Sequence, residues 1–393
     1  MNPDTLVSKR SRAIDASGIR RVFDLGRTLK DPINLSIGQP DFEVPLAVRA
    51  AAIDAIEGNL NGYTPTQGVE PLRQRLQRAL SEDVGWNTTD ASDTGLLVTS
   101  GTSGALMLAF QALLDPGDEV IFADPYFVMY PHAATLCGAK PVRCDTYPDF
   151  RLTAERVEPL ITERTKAVLL NSPGNPTGVI ASEDEVRKLH ELCAARGIVL
   201  ISDEIYDLFT YSESRTQQPA LAGEPCCPSP ARLGGAHESV LLIRGFGKTY
   251  GVTGWRMGYA AGPKWLIHEM GKLQQYTYVC APSIAQWGCL AAIDADMTEQ
   301  VAEYERRRDL VVDKLSKVTD LAAPGGAFYA FVKIPDKLGL TGAQFVEKCI
   351  EKNVLVIPGG VFSARDTHFR LSFATKRSKL EQGLDILARL LAG

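Results

Sequence analysis

Histidine is scarce in this chain, five among 393 residues, and the eight cysteines are scattered at positions 137, 144, 193, 226, 227, 280, 289 and 349. Neither residue type shows zinc-site spacing, so no metal is expected. Cys226 and Cys227 adjoin in a Pro/Gly-rich stretch, 217–235, that reads as a surface loop. A redox pair there is one reading, incidental reduced thiols the plainer one. Long apolar runs are missing too: none approaches the ~18 residues a membrane helix needs. The opening residues MNPDTLVSKRSRAI hold no apolar signal core, from which a cytoplasmic protein is expected. The net charge is −5, with 42 basic and 47 acidic residues intermixed, and no basic stripe or tail recommends nucleic acid. Internal repeats and low-complexity segments are also absent. The length allows roughly two to three domains at about 150 residues each, with ample core.

Through the middle of the chain, apolar strands alternate with amphipathic helices, the pattern of a βα sheet domain. Strands are predicted at Leu96–Thr99, Glu119–Phe122, Ala167–Leu170, Ile198–Ser202 and Val240–Arg244. The segment 182–197 has a helix start at Ser182, helical spacing and a terminal glycine. From about Asp294 a long charged helix leads into a different unit, with GGAFYAFVKI and FRLSFA as strands, which reads as a smaller α+β domain.

One lysine stands out. Lys248 lies in the glycine-rich, apolar run LLIRGFGKTYGVTGWRMGYAAGP, with Arg256 eight residues on. A lysine kept from water has its ammonium form disfavoured, and the neutral amine is what attacks an aldehyde to form a Schiff base. Arg256 supplies a fixed cation suited to a phosphate. The pair suggests an aldehyde cofactor bearing a phosphate, pyridoxal 5'-phosphate. Such a cofactor needs an acid for its ring nitrogen, and Asp203 ends a strongly apolar strand, where ligands meet open α/β sheets. Tyr206 and Asn175, the latter in the loop NSPGNPTG, offer hydrogen bonds to the ring hydroxyl. In VTSGTSGALMLAFQALL a strand end, a small-residue turn and a helix follow one another, so Gly101, Thr102 and Ser103 present free amides to an anion.

Each residue also has a plainer reading. Lys248 alone would be a solvated surface lysine. Asp203 would be a helix N-cap before Glu204. Asn175 would belong to a turn, Tyr63 to a loop, Phe127 to the core, and Arg370 to an edge strand. Only their joint occurrence favours the cofactor.

With these motifs in order, joined by NLSIGQPDF, GYTPTQGVEPLR, DPGDEVIFADPYFVMYP, SDEIY, GKTYGVTGWRMGY and FRLSFA, nearly the whole chain resembles the class I aminotransferases of pyridoxal-phosphate fold type I. The resemblance is strongest to the prokaryotic aspartate and aromatic branch. It implies an α/β fold: a large domain with a mostly parallel seven-stranded sheet between helices, plus a smaller α+β domain. An N-terminal arm at 1–45 would pack with the small domain at 294–393, leaving 46–293 as the cofactor-binding domain. Lys248 would form the Schiff base and move the proton. Asp203 would hold the ring nitrogen, Tyr206 and Asn175 the ring hydroxyl, and Arg256 the phosphate. Arg370 would grip the substrate's alpha-carboxylate, with Gly38 beside it, and Phe127 would stack on the ring. Tyr63 would reach the phosphate of a neighbouring subunit, implying a homodimer with shared sites.

The expected reaction is ping-pong transfer of an amino group from an L-amino acid (aspartate, aromatic or broad range) to a 2-oxo acid, 2-oxoglutarate by expectation. The chain departs from its relatives at Gly247, where many carry a hydroxyl residue, and at Arg244, where asparagine is frequent. Arg244 would then either compensate at the phosphate or face water. An aspartate-specific branch carries lysine and threonine where this chain has Ser103 and Ile19, so the arm Ser17–Leu25 looks more like that of aromatic or broad-range enzymes. Arg20 or Arg21 would be the cation for an acidic side chain. A β-elimination lyase uses the same lysine, aspartate and arginine and stays as the alternative. A ligand-sensing transcription regulator would need a DNA-binding domain upstream of Asn34, for which no room is expected.

Overall fold

The computed structural model describes residues 6–15, 18–19, 22, 29–89, 91–216 and 227–393. Among the described residues twelve strands run in chain order: β1 Ile33–Asn34, β2 Thr94–Thr99, β3 Glu119–Asp124, β4 Lys140–Asp145, β5 Thr165–Asn171 and β6 Val199–Asp203, then β7 Val240–Gly245, β8 Gly258–Pro263, β9 Tyr329–Lys333, β10 Val354–Leu355, β11 Ile357–Pro358 and β12 His368–Ser372. Seven of them form one sheet in the order β2-β8-β7-β6-β5-β3-β4. β8 alone runs opposite in direction to the other six. The central strands are buried on both faces, which is why β6 reads as the unbroken apolar run Val199, Leu200, Ile201 rather than as an alternation.

Helices cover both faces. Gly101–Leu113, Met129–Leu136 and Lys264–Thr277 bury Leu108, Phe110, Tyr130 and Met270 against one side. Glu70–Val84, Glu183–Ala195 and Ser283–Ala292 bury Leu76, Leu80, Leu189 and Cys193 against the other. The helix expected at 182–197 spans Glu183–Ala195, and Ser182 closes it with a capping box to Glu185.

A second core lies beyond this sheet. There β9 and β11 flank β12 in an antiparallel sheet, backed by helices Thr298–Leu315, Gly342–Glu351 and Arg377–Ala392. β1 pairs in parallel with β10, so residues 33–34 are tied to this unit by backbone hydrogen bonds.

One expectation fails in part. Within the proposed surface loop, Cys227–Ala231 is buried, because Ser229 donates to Glu204 at 2.6 Å and Arg232 donates to the Cys227 carbonyl at 2.7 Å. Cys226 lies outside the described residues.

Candidate active site

At the carboxyl ends of β5, β6 and β7 lies a cavity of about 250 Å3, the position where open α/β sheets bind ligands. Its wall gathers Lys248, Asp203, Tyr206 and Asn175 from the sheet side and Gly101, Thr102 and Ser103 from the start of the helix Gly101–Leu113, with Arg256 from the turn after Thr253–Trp255. Phe127, Gly38 and Arg370 complete it from the remaining sides. Ile19 lines it too.

Lys248 sits in a short helix, Phe246–Thr249, that begins where β7 ends. Its ammonium donates to the Gly38 carbonyl and stands 5.9 Å from the ring centroids of Tyr206 and Phe328. Burial, then the charges of Arg370 and Arg256, lower its pKa to about 8. Roughly one in ten such side chains is a neutral amine at pH 7, far more than for a free lysine.

Asp203 closes β6 and is 3% exposed. Burial raises its pKa to about 6, although the Tyr130 hydroxyl donates to Oδ2 at 2.8 Å and pulls it back. No helix follows it, so the N-cap reading does not apply: residues 205–208 form turns. The Asn171 amide donates to the Asp203 carbonyl at 2.9 Å, and its Oδ1 accepts from the Asn175 backbone N–H at 2.9 Å. Asn171 thereby couples the aspartate to the NSPGNPTG turn.

Arg370 is not an edge-strand charge. It lies in the middle strand of the second sheet, 1% exposed, and donates to Asn175 Oδ1 at 2.9 Å and the Ser36 carbonyl at 2.8 Å. Its Nε has no partner among the described residues, leaving a buried donor free. Across the cavity Gly101 has φ +71°, and a Cβ there would stand 2.7 Å from the Arg256 guanidinium. Only glycine lets the arginine lie against the turn that opens the helix Gly101–Leu113. Arg256 itself is held at φ 55°, an uncommon conformation for a side-chain-bearing residue. Phe127 packs edge-on against Tyr130, centroids 5.7 Å apart.

Both sequence readings of Arg244 are wrong. Its guanidinium turns to the opposite face of the sheet, donating to Asp83 at 2.6 Å and Glu204 at 3.0 Å, with Asp207 at 3.4 Å. It therefore neither reaches the cavity nor faces water, because the buried Glu204 and the half-buried Asp83 and Asp207 claim it. Tyr63 is not brought to the cavity either: it is 89% exposed. Arg20 and Arg21 lie outside the described residues. Sequence reasoning missed Tyr130, Asn171 and Tyr329, all lining the cavity. Each sits inside a motif that was singled out, one to four residues from a named candidate or within a predicted strand.

The chain matches the family described as aminotransferase class I and II over residues 30–387. It is 34% identical to an aspartate aminotransferase of Pyrococcus abyssi, with 98% of each chain covered. It is 32% identical to aromatic-amino-acid aminotransferase 2 of Thermococcus litoralis, again with 98% of each covered. Among solved structures, an aspartate aminotransferase from Thermotoga maritima superposes with a TM-score of 0.90 at 32% identity, covering 98% of this chain and 100% of that one.

Proposed function

The chain belongs to the class I and II aminotransferases and is a transaminase, and from that premise we propose that it uses pyridoxal 5'-phosphate, bound in the cavity around Lys248. Its seven-stranded, mostly parallel sheet is the fold-type I architecture of its structural neighbours. The observation that carries the reading is the convergence on one cavity of a half-buried lysine, a buried aspartate and two arginines in different settings. The residues fit the group. Gly101 leaves room for Arg256 beside a helix N-terminus, and Arg370 keeps a free buried donor.

When bound, pyridoxal phosphate supplies an aldehyde carbon that amines add to and a ring that accepts electrons. The roles of this chain's residues follow from their surroundings. Lys248, with its lowered pKa, provides the amine that holds the cofactor and, once displaced, takes and returns the proton at the substrate's alpha carbon. Asp203 keeps the ring nitrogen protonated; a cation brought to its buried carboxyl restores the ionised form that burial disfavours. Tyr206 and Asn175 serve the ring hydroxyl, and Phe127 covers the ring face. Arg256 and the amides of Gly101, Thr102 and Ser103 hold the phosphate. Arg370 and the Gly38 backbone hold the substrate's carboxylate. Tyr63, exposed in the single chain, would act on the site of a second subunit in a homodimer.

The donor is an L-amino acid and the acceptor a 2-oxo acid, with 2-oxoglutarate as the proposed acceptor and ping-pong order. Ile19 on the cavity wall supports an aromatic or broad-range donor over a strictly acidic one. The test is an absorbance titration of the cofactor-loaded protein with aspartate, glutamate, alanine, tyrosine, phenylalanine and cysteine, one at a time. Conversion of the lysine-bound band to the pyridoxamine band names the donor class. Release of pyruvate and ammonia from a β-substituted amino acid, without that conversion, moves β-elimination to the front.

A further inference from the structure

Tyr329 is 1% exposed and lies on β9, beside the strand that carries Arg370. Tyr329 pairs with Ser372, two residues from Arg370, so both side chains project from the same face of the sheet. The Arg370 guanidinium stands 4.5 Å from the Tyr329 ring centroid and 4.6 Å from that of Phe362, held between two aromatic faces. At the other end of the phenol, its hydroxyl meets the Tyr206 hydroxyl at 2.9 Å. The two rings are nearly perpendicular, centroids 5.7 Å apart. A Cβ at Gly38 would overlap the same hydroxyl, so the loop whose carbonyl receives Lys248 packs directly on it.

We propose that Tyr329 is a positioning residue for transamination: its hydroxyl donates to Tyr206 and its ring fixes the plane of Arg370, so one side chain sets both the cofactor's hydroxyl partner and the substrate's carboxylate partner. This inference rests on the aminotransferase reading above. The two contacts separate chemically. With Tyr329 as donor, the Tyr206 oxygen is better able to give its own proton to a ring oxyanion. The ring contact instead restricts how Arg370 presents its two-pronged face to a carboxylate.

Two variants separate them. Tyr329→Phe keeps the ring and deletes the hydroxyl; Tyr329→Leu deletes both. In the cofactor-loaded Tyr329→Phe enzyme, the pH midpoint at which bound-cofactor absorbance changes is expected to rise by about half a unit or more, with KM for the amino acid within about threefold of wild type. Tyr329→Leu is expected to raise KM by about tenfold in addition. A Tyr329→Phe midpoint equal to wild type overturns the proposal, as does an unchanged KM in Tyr329→Leu. Tyr329→Phe carries the test alone if the leucine variant does not fold. A wild-type protein that takes up no pyridoxal phosphate overturns the aminotransferase reading, and this inference with it.

Discussion

Two groups of charges lie within a few residues of each other at the ends of β6 and β7, on opposite faces of one sheet. Asp203 and Lys248 face the cavity. Glu204 and Arg244, one residue after Asp203 and four before Lys248, face the other way. On that far side Arg244 and Arg232 clasp Asp83 at 2.6 Å each, and Ser202 and Ser229 donate to Glu204 at 2.8 and 2.6 Å. Burial opposes ionisation of Asp83, yet the two arginines overcome it and hold its pKa at about 2. Asp203 is the more deeply buried of the two and has no cation beside it among the described residues, and burial takes it up to about 6. The two differ in partners as well as in burial. A half-buried carboxylate clasped by two cations stays ionised as part of the fold, whereas a buried one without a cation is poised to receive one, the role proposed for Asp203.

The comparison can be broken at either face. On the cavity side, Lys248→Ala should lower kcat by roughly 10^4-fold while leaving the thermal midpoint nearly unmoved, because it removes a group used in the reaction rather than in the fold. Steady-state rates and a melting curve on the same preparation check both halves. On the far side, Arg244→Met should do the reverse. Leaving the buried Glu204 and the half-buried Asp83 and Asp207 without their shared cation, with Arg232 still on Asp83, should cost about 3 kcal/mol of stability in urea unfolding, with kcat of the folded enzyme within about tenfold of wild type.

The pH dependence sharpens the contrast. In the cofactor-free protein, Asp203 has a folded pKa above its unfolded value, so its contribution is fully present below about pH 4 and is lost as pH rises through about 6. Asp207, also raised by burial to about 6, acts in the same direction. Asp83 has the opposite sign: its contribution is present above pH 3.8 and is lost as pH falls towards 2. Tyr63→Phe should give the smallest effect, a weakening of cofactor affinity by about threefold with no change in stability, since the side chain is exposed in the single chain. An equilibrium dialysis of cofactor against each protein measures it. In the pH series, Asp203→Asn should remove about 2–3 kcal/mol of the stability lost between pH 4 and 7, leaving the Asp207 share.

Much of this molecule was legible in its sequence, for identifiable reasons. The strands β2, β3, β5, β6 and β7 were visible because burial on both faces demands apolar runs. The two strands missed from the main sheet lack that signal. β4, KPVRCD, is an edge strand with mostly exposed or half-buried residues, and β8, GYAAGP, is built mostly of small residues, with Tyr259 the exception and no β-branched ones. The cavity residues were legible because the chemistry of an aldehyde cofactor restricts residue types, and the family resemblance ordered them. What could not be read was direction. Whether Arg244 points to the cavity, to water or to Asp83 depends on the alternation of one strand and on a helix 161 residues away in the chain. Tyr130 and Tyr329 escaped for the same reason: a buried tyrosine in an apolar stretch looks like core until its hydroxyl partner is known.

The most direct test of the account is borohydride reduction of the pyridoxal-phosphate-loaded protein, followed by proteolysis and peptide mass analysis. The account predicts the reduced cofactor's mass on the peptide containing Lys248. The same mass on another lysine, or on none, would contradict it.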